Sequence, residues 1–260
     1  MCRIEATRWR FLDSDGLSDA EMQQFANWTN LSETTFLCAP TNSAADYKVR
    51  IFTESSGLPF AGHPTLRSCH AWLRAGGKPK SPDHVVQECG VGLVRVKPVD
   101  DLLAFAAPPL LRGGDVDADT LAEVAAQLQV SRAEILAVQW IDNGPGWIGA
   151  LLASAEDVHA VQSRPKGTLK IGVAGLYPPG SPHAIEVRAF FPSRGIVSED
   201  TVTGSLNASL AQWLLRSGRV EAPYVAAQGT VLGRAGRIHV HVDDDDIWVG
   251  GHSVTCIEGP

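Results

Sequence analysis

Apolar residues recur along this chain with two spacings, and the switches between them mark its elements. Thr35–Cys38, Val49-Arg50-Ile51-Phe52, Val85-Val86-Gln87 and Val94-Arg95-Val96 are short β-branched or aromatic runs bounded by turn residues, a pattern that predicts strands. Val187-Arg188-Ala189-Phe190, Val225-Ala226-Ala227, Ile238–Val242, Ile247-Trp248-Val249 and Val254-Thr255-Cys256-Ile257 read the same way. Helical spacing predicts helices over Ser18–Trp28, Asp119–Gln129 and Ser131–Ala137, where Ser131 with Glu134 forms a capping-box signature. The acidic run Asp243–Asp246 between two strands reads as a solvated hairpin turn, since it lacks the ligand spacing of a calcium loop.

The chain contains itself twice. Val49, Arg50 and Phe52 match Val187, Arg188 and Phe190 at equal offsets, and Ser55 and Gly57 continue the match at Ser193 and Gly195. Further on, Gly62 opens a segment that runs to Leu73, Arg74 and Gly76, and Gly204 opens one that runs to Leu215, Arg216 and Gly218. Each segment predicts an apolar helix stopped by a C-terminal glycine, and Pro64 suits a first helical turn. Each half is therefore strand, glycine-bearing loop, apolar helix, then strands, which predicts an α+β fold in which a mixed sheet wraps a central helix, done twice. The Pro108-Pro109 to Gly113-Gly114 stretch places the seam, giving an N-terminal half over 1–109 and a C-terminal half over 110–249, with 250–260 returning to the first.

Composition narrows the function. The 260 residues are 44% hydrophobic and 20% charged, ordinary for a globular protein. The net charge of −7 argues against a nucleic-acid partner. A few local donors can still hold a small acid, because distant charge is screened beyond about 10 Å. No apolar run suggests a signal peptide or a membrane partner, and the five scattered cysteines form no paired motif, so the expectation is a reduced, cytoplasmic protein with neither a disulfide framework nor a metal site. Asn27-Trp-Thr, Asn30-Leu-Ser and Asn207-Ala-Ser match the glycosylation pattern and are read as chance.

Candidate chemistry gathers at the two helix starts. Unpaired N–H groups and about half a unit of positive charge make a helix start a carboxylate receptor. Beside the first stands His63; beside the second stand Glu199, Asp200, Thr203 and Ser205. Glu33, between a helix and an apolar strand, is placed where partial desolvation would fit a carboxylate for general acid/base work. Each also has a bland reading: Glu33 as a solvated loop residue, His63 as a structural histidine, Ser205 as a helix cap.

Three segments bear on these readings. Asn30-Leu31-Ser32-Glu33-Thr34, Leu58-Pro59-Phe60-Ala61-Gly62-His63-Pro64-Thr65 and Glu199-Asp200-x-x-Thr203-Gly204-Ser205 resemble, in order and spacing, the signature segments of the PhzF phenazine-biosynthesis isomerase family. Phe52-Thr53 and Val249-Gly250-Gly251 are similar too. The resemblance implies two pseudo-symmetric diaminopimelate epimerase-like domains, a homodimer, and isomerisation of a small carboxylic acid by proton transfer without metal or organic cofactor. It implies Glu33 as the general acid/base, His63 and Asp200 flanking and polarising the substrate, and Gly62, Thr203, Gly204 and Ser205 in substrate binding. The chain departs from the family at Gly57, where a carboxylate is common, and at Thr201, where proline is common. It also departs at its start, where the family's first strand and Gly-Asn-Pro turn are not found, so that either the start is truncated or Cys2–Leu12 is a divergent substitute.

Other readings remain open. A two-base racemase or epimerase of this fold would place a thiol at each helix start, where this chain has Gly62-His63 and Gly204-Ser205. A hydrolase using Ser205, His63 and Asp200 has the residue types but lacks the Gly-x-Ser-x-Gly elbow. A non-catalytic binder of a small carboxylate would keep both helix starts without needing Glu33.

Overall fold

The computed structural model describes residues 10–11, 14–193 and 195–255. They divide into two compact units, one over Pro109–Val249 and the other made of the residues up to Pro108 together with those from Gly250 onward.

The unit that comes first in the chain begins with β1 (Arg10–Phe11) and α1 (Asp19–Thr29). There follow β2 (Thr34–Cys38), β3 (Tyr47–Phe52), β4 (Gly57–Leu58), α2 (Gly62–Arg74), β5 (Val85–Cys89), β6 (Gly92–Val99) and β7 (Leu102–Ala106). Its sheet runs β1-β2-β3-β5-β6-β7, with β4 paired to β3. β3 is antiparallel to β2 and parallel to β5. Ser18 caps α1 in a full capping box with Glu21, and Asn30 ends the helix at φ 53°, a left-handed conformation that asparagine tolerates. One face of this sheet packs Phe36 and Phe52 against Met22 and Ala26 of α1. α2 buries Leu66, Cys69 and Ala71. The notion that Cys2–Leu12 substitutes for a family strand falls mostly outside the described residues; within them, β1 runs parallel to β2.

The other unit carries β8 (Arg112–Asp115), α3 (Ala118–Leu128), β9 (Ala137–Asp142), β10 (Trp147–Leu151), α4 (Ala155–Ala160), β11 (Lys170–Leu176), β12 (Ile185–Ser193) and β13 (Ile196–Asp200). α5 (Gly204–Arg216), β14 (Tyr224–Gln228), β15 (Gly236–Asp243) and β16 (Asp246–Gly251) complete it, β16 carrying the chain across the unit boundary at Val249 and Gly250. The order is β16-β15-β14-β12-β11-β10-β9-β8, with β13 paired to β12. β12 is antiparallel to β11 and parallel to β14, the arrangement β3 has in the first unit.

Three layers form here. α3 and α4 cover one face through Val124, Leu128 and Val158 on Ile148, Ile171 and Phe190. α5 lies on the other and is buried on nearly every side, as its apolar sequence requires. Room for it comes from Gly149 and Gly172, paired across β10 and β11. A Cβ on Gly149 would meet the Trp213 ring at 2.8 Å, and one on Gly172 would meet Leu206 at 2.2 Å. α2 and α5 are both 13 residues long and stop alike, at Gly76 (φ 89°) and Gly218 (φ 66°).

Two sequence expectations are corrected. Ser131–Ala137 is not an α-helix: the capping box at Ser131 starts only a 3₁₀ turn, Arg132–Glu134, because β9 already begins at Ala137 and pairs with β10. Val254 and Thr255 form no strand, and Cys256 and Ile257 lie outside the described residues.

The close contact of β11 with the start of α4 gives a test of this packing. A Cβ on Gly175 would stand 2.1 Å from the Ser154 carbonyl oxygen, whereas one on Gly16 would meet nothing. Gly175→Ala should cost about 1–3 kcal/mol by overpacking, and Gly16→Ala less than about 0.5 kcal/mol, read as denaturant midpoints.

Candidate active site

Glu33 sits at the mouth of β2, three residues past the αL residue that ends α1. Thr29 and Thr34 hydroxyls meet at 3.2 Å and pin this short connection. His63 is the second residue of α2, whose entry is anchored by Phe60, fully buried and edge-on to Phe105. Gly90 lets the β5–β6 turn press on that entry, since a Cβ there would lie 2.6 Å from Pro59 Cα. The result brings His63 Nε2 within 3.1 Å of Glu33 Oε2, with side chains only 11% and 14% exposed. The contact is within ion-pair reach but out of line for a hydrogen bond.

α2 has no side-chain cap and no acidic residue in its first turn. Its start is instead tied to the sheet by a buried amide: Gln87 Nε2 donates to Thr65 Oγ1 at 2.9 Å, and Tyr47 donates its hydroxyl to Gln87 Oε1 at 2.9 Å.

The start of α5 repeats this design. It too lacks a side-chain cap and a first-turn acid. Gln228 accepts from Thr203 N–H at 3.0 Å and Asn207 Nδ2 at 2.9 Å, and donates to Asp200 O at 3.1 Å and Thr203 Oγ1 at 3.0 Å. Thr203 in turn donates its hydroxyl to Asp200 Oδ2 at 2.6 Å. Over Ser205 folds the β9–β10 loop, which Asp142 holds by accepting from Gly144 and Gly146 N–H. That loop delivers Asn143 Nδ2 to the Ser205 carbonyl at 2.9 Å and Trp147 Nε1 to the Ser205 hydroxyl at 3.1 Å.

The structure thus gathers Glu33, Gly62 and His63 at one helix start, and Asp200, Thr203, Gly204 and Ser205 at the other. Glu199 is placed differently. Its carboxylate is gripped in a two-point pair by Arg188 at 2.9 and 2.7 Å, and the same guanidinium donates to the Val158 and Val161 carbonyls. It serves to lock β13 and the end of α4 to β12.

Gln228, Asn143 and Trp147 belong to none of the sequence motifs, and Gln87 is marked there only as the end of a strand run. A signal for the two glutamines existed: each ends an apolar run, 25 and 24 residues after the glycine that opens its helix, so the internal repeat extends to them. Asn143 and Trp147 lie some 60 residues from the serine they contact, and no local pattern announces them.

Residues 10–259 match the phenazine biosynthesis-like protein family, PhzC-PhzF. The chain belongs to this family. It is 34% identical to antisense-enhancing sequence 1 of Schizosaccharomyces pombe, over 96% of this chain and 90% of that protein. It is 29% identical to the trans-2,3-dihydro-3-hydroxyanthranilate isomerase of Pseudomonas fluorescens, over 86% of this chain and 80% of the relative. A PhzF-family protein from Bacillus anthracis superposes with a TM-score of 0.72 at 17% identity, covering 93% and 87% of the two chains. The fold is the α+β, diaminopimelate epimerase-like one.

If Glu199 is a structural anchor, its loss should be repairable. Arg188→Met leaves a buried carboxylate unpaired and should destabilise by about 3–5 kcal/mol. Removing both charges in Arg188→Met/Glu199→Met should recover the part due to the unpaired carboxylate and leave the cost of the Val158 and Val161 carbonyls that lose the Arg188 donor, measured by urea unfolding.

Proposed function

We propose that this chain is an isomerase that moves a proton between carbons of a small carboxylic acid, with Glu33 as the group that takes the proton and returns it. The observation that carries this reading is the Glu33–His63 pair, nearly buried and 3.1 Å apart at an uncapped helix start. A carboxylate in that setting abstracts a proton from a carbon acidified by an adjacent π-system or carboxylate, then delivers it elsewhere on the same face. His63 holds the Glu33 carboxylate in place and polarises the substrate. Asp200, at the other helix start, helps hold or polarise the substrate. Donors at either helix start, Gly62 at one and Gly204 and Ser205 at the other, can receive a substrate carboxylate, while Thr203, whose N–H and hydroxyl are taken by Gln228 and Asp200, acts by holding its helix start in place. The isomerase named trans-2,3-dihydro-3-hydroxyanthranilate isomerase among its relatives supports the reaction class and suggests a cyclic dihydro or amino acid.

The same reading takes the protein as a cytoplasmic homodimer that works without metal or organic cofactor, on the strength of the family resemblance. No helix among the described residues is long and apolar enough to cross a membrane. Sedimentation equilibrium should then give twice the 27.8 kDa chain mass.

Neither alternative chemistry finds its parts among the described residues. A thiol-based epimerase would need an ionisable cysteine at a helix start. Burial, with help from nearby Asp46, pushes the Cys69 thiol up to about 12. A hydrolytic serine needs a base to take its proton, and the side-chain partner of the Ser205 hydroxyl among the described residues is the Trp147 indole N–H, which can only donate.

The test is deuterium incorporation in D₂O with a panel of small cyclic and amino-substituted acids that includes trans-2,3-dihydro-3-hydroxyanthranilate, followed by NMR. The parent should label one compound, and Glu33→Gln should slow labelling by about 10²–10⁴-fold. Full activity in Glu33→Gln would remove Glu33 from this role. Ligand binding with no exchange in either protein would favour the non-catalytic binder.

A further inference from the structure

We infer that Gln228 is a positioning residue that turns the Thr203 hydroxyl toward Asp200 and so fixes the carboxylate in the orientation with which it meets a substrate. This rests on the proposal that Asp200 contacts the substrate.

The argument is one of donors and acceptors. A backbone N–H and an asparagine amide nitrogen can only donate, so the Gln228 atom that faces Thr203 N–H and Asn207 Nδ2 is the oxygen. Asn207 itself is oriented the same way, because its Nδ2 also donates to the Thr203 carbonyl at 2.9 Å. The other Gln228 atom faces the Asp200 carbonyl, which can only accept, so it is the nitrogen. That nitrogen has no lone pair to offer. The Thr203 hydroxyl, 3.0 Å away, must therefore accept from it. A hydroxyl has one proton, and with its oxygen engaged by Gln228 that proton is directed to Asp200 Oδ2 at 2.6 Å. Every step is forced by chemistry, and all four hydrogen-bonding positions of Gln228 are filled in a side chain with no exposed surface.

The first unit shows what is specific here. Gln87 makes the matching contact to Thr65 at the start of α2, but its oxygen takes the Tyr47 hydroxyl. The glutamine that ties helix start to sheet is shared by both units; the extension through a hydroxyl to a candidate site carboxylate belongs to Gln228.

The test needs no substrate. In aspartate-¹³C-labelled protein the Asp200 carboxyl resonance, assigned by its loss in Asp200→Asn, is recorded at one neutral pH in H₂O and in D₂O. A hydroxyl donor imposes an isotope shift on the carboxylate that accepts it. The parent and Thr203→Ser should show this shift, and Thr203→Val should lose it. Gln228→Glu is the decisive variant where the ¹³C shift of its new carboxyl, glutamate being labelled as well, shows it ionised: it then keeps an acceptor for Thr203 N–H and Asn207 but presents an acceptor where the donor stood, which turns the Thr203 proton away from Asp200. Loss of the isotope shift in Gln228→Glu is the expected result; an unchanged shift overturns the inference. Should Gln228→Glu not fold, or should its new carboxyl stay protonated and so still donate, the side-chain amide resonances of Gln228 decide the matter in Thr203→Val. They should move there and hold in Thr203→Ser, and resonances unmoved in Thr203→Val overturn the inference. Failure here leaves the deuterium result on Glu33 standing, and failure of that result leaves the hydroxyl direction to be read independently.

Discussion

A helix that starts inside a protein without a side-chain cap leaves N–H groups that must find partners or be kept for a ligand. Both central helices of this chain start that way, α2 at Gly62 and α5 at Gly204. Each is steadied by one buried glutamine from a later strand, Gln87 or Gln228, that bonds a residue at or just inside the helix start. Capping by serine or aspartate would have satisfied these ends locally and closed them to a carboxylate. The external clamp fixes the helix without occupying its end.

The rest of the architecture serves that placement. Gly149 and Gly172 open the sheet face on which α5 lies, so that Leu206 and Trp213 approach the backbone closely. Arg188 and Glu199 hold β13, which ends at Asp200, one turn before the helix. In the first unit Phe60 and Gly90 set the loop before His63, and the Thr29–Thr34 contact sets Glu33. The candidate site residues are thus carried by strand ends and helix starts whose supports lie in the sheet, the kind of support that keeps a site geometry within catalytic tolerance.

Much of this was legible in the sequence because it is local or repeated. Ser131 with Glu134 forms the capping box its spacing predicts, and the helix predicted from Ser18 starts there. The terminal glycines Gly76 and Gly218 stop α2 and α5, and Asp243 and Asp246 bracket a turn with Asp244 at φ 53°. The Ser131 signature predicts more helix than forms because a capping box says where a helix can start and not how far it can run; strand pairing from Ala137 ends it at one turn. The Val254 run had strand composition but no partner strand to pair with among the described residues. At the site, the motifs marked the residues at the helix starts, while the groups that orient them were hidden by distance: Gln228 lies 25 residues from Thr203, and Trp147 lies 58 from Ser205. Glu199 shows the converse, a residue inside a motif whose neighbour in space, Arg188, assigns it to the scaffold.

The central claim concerns where Glu33 stands when substrate is bound. The most direct measurement is a crystal structure with an unreactive aromatic acid such as 3-hydroxyanthranilate, which has the carboxylate and ring of the relative's substrate without its transferable ring proton. The account expects a Glu33 carboxylate oxygen within about 3.5 Å of a ring carbon, with His63 still beside it and the ligand carboxylate at a helix start. A ligand bound with Glu33 turned away, or with another protein group closest to the ring carbons, would contradict it.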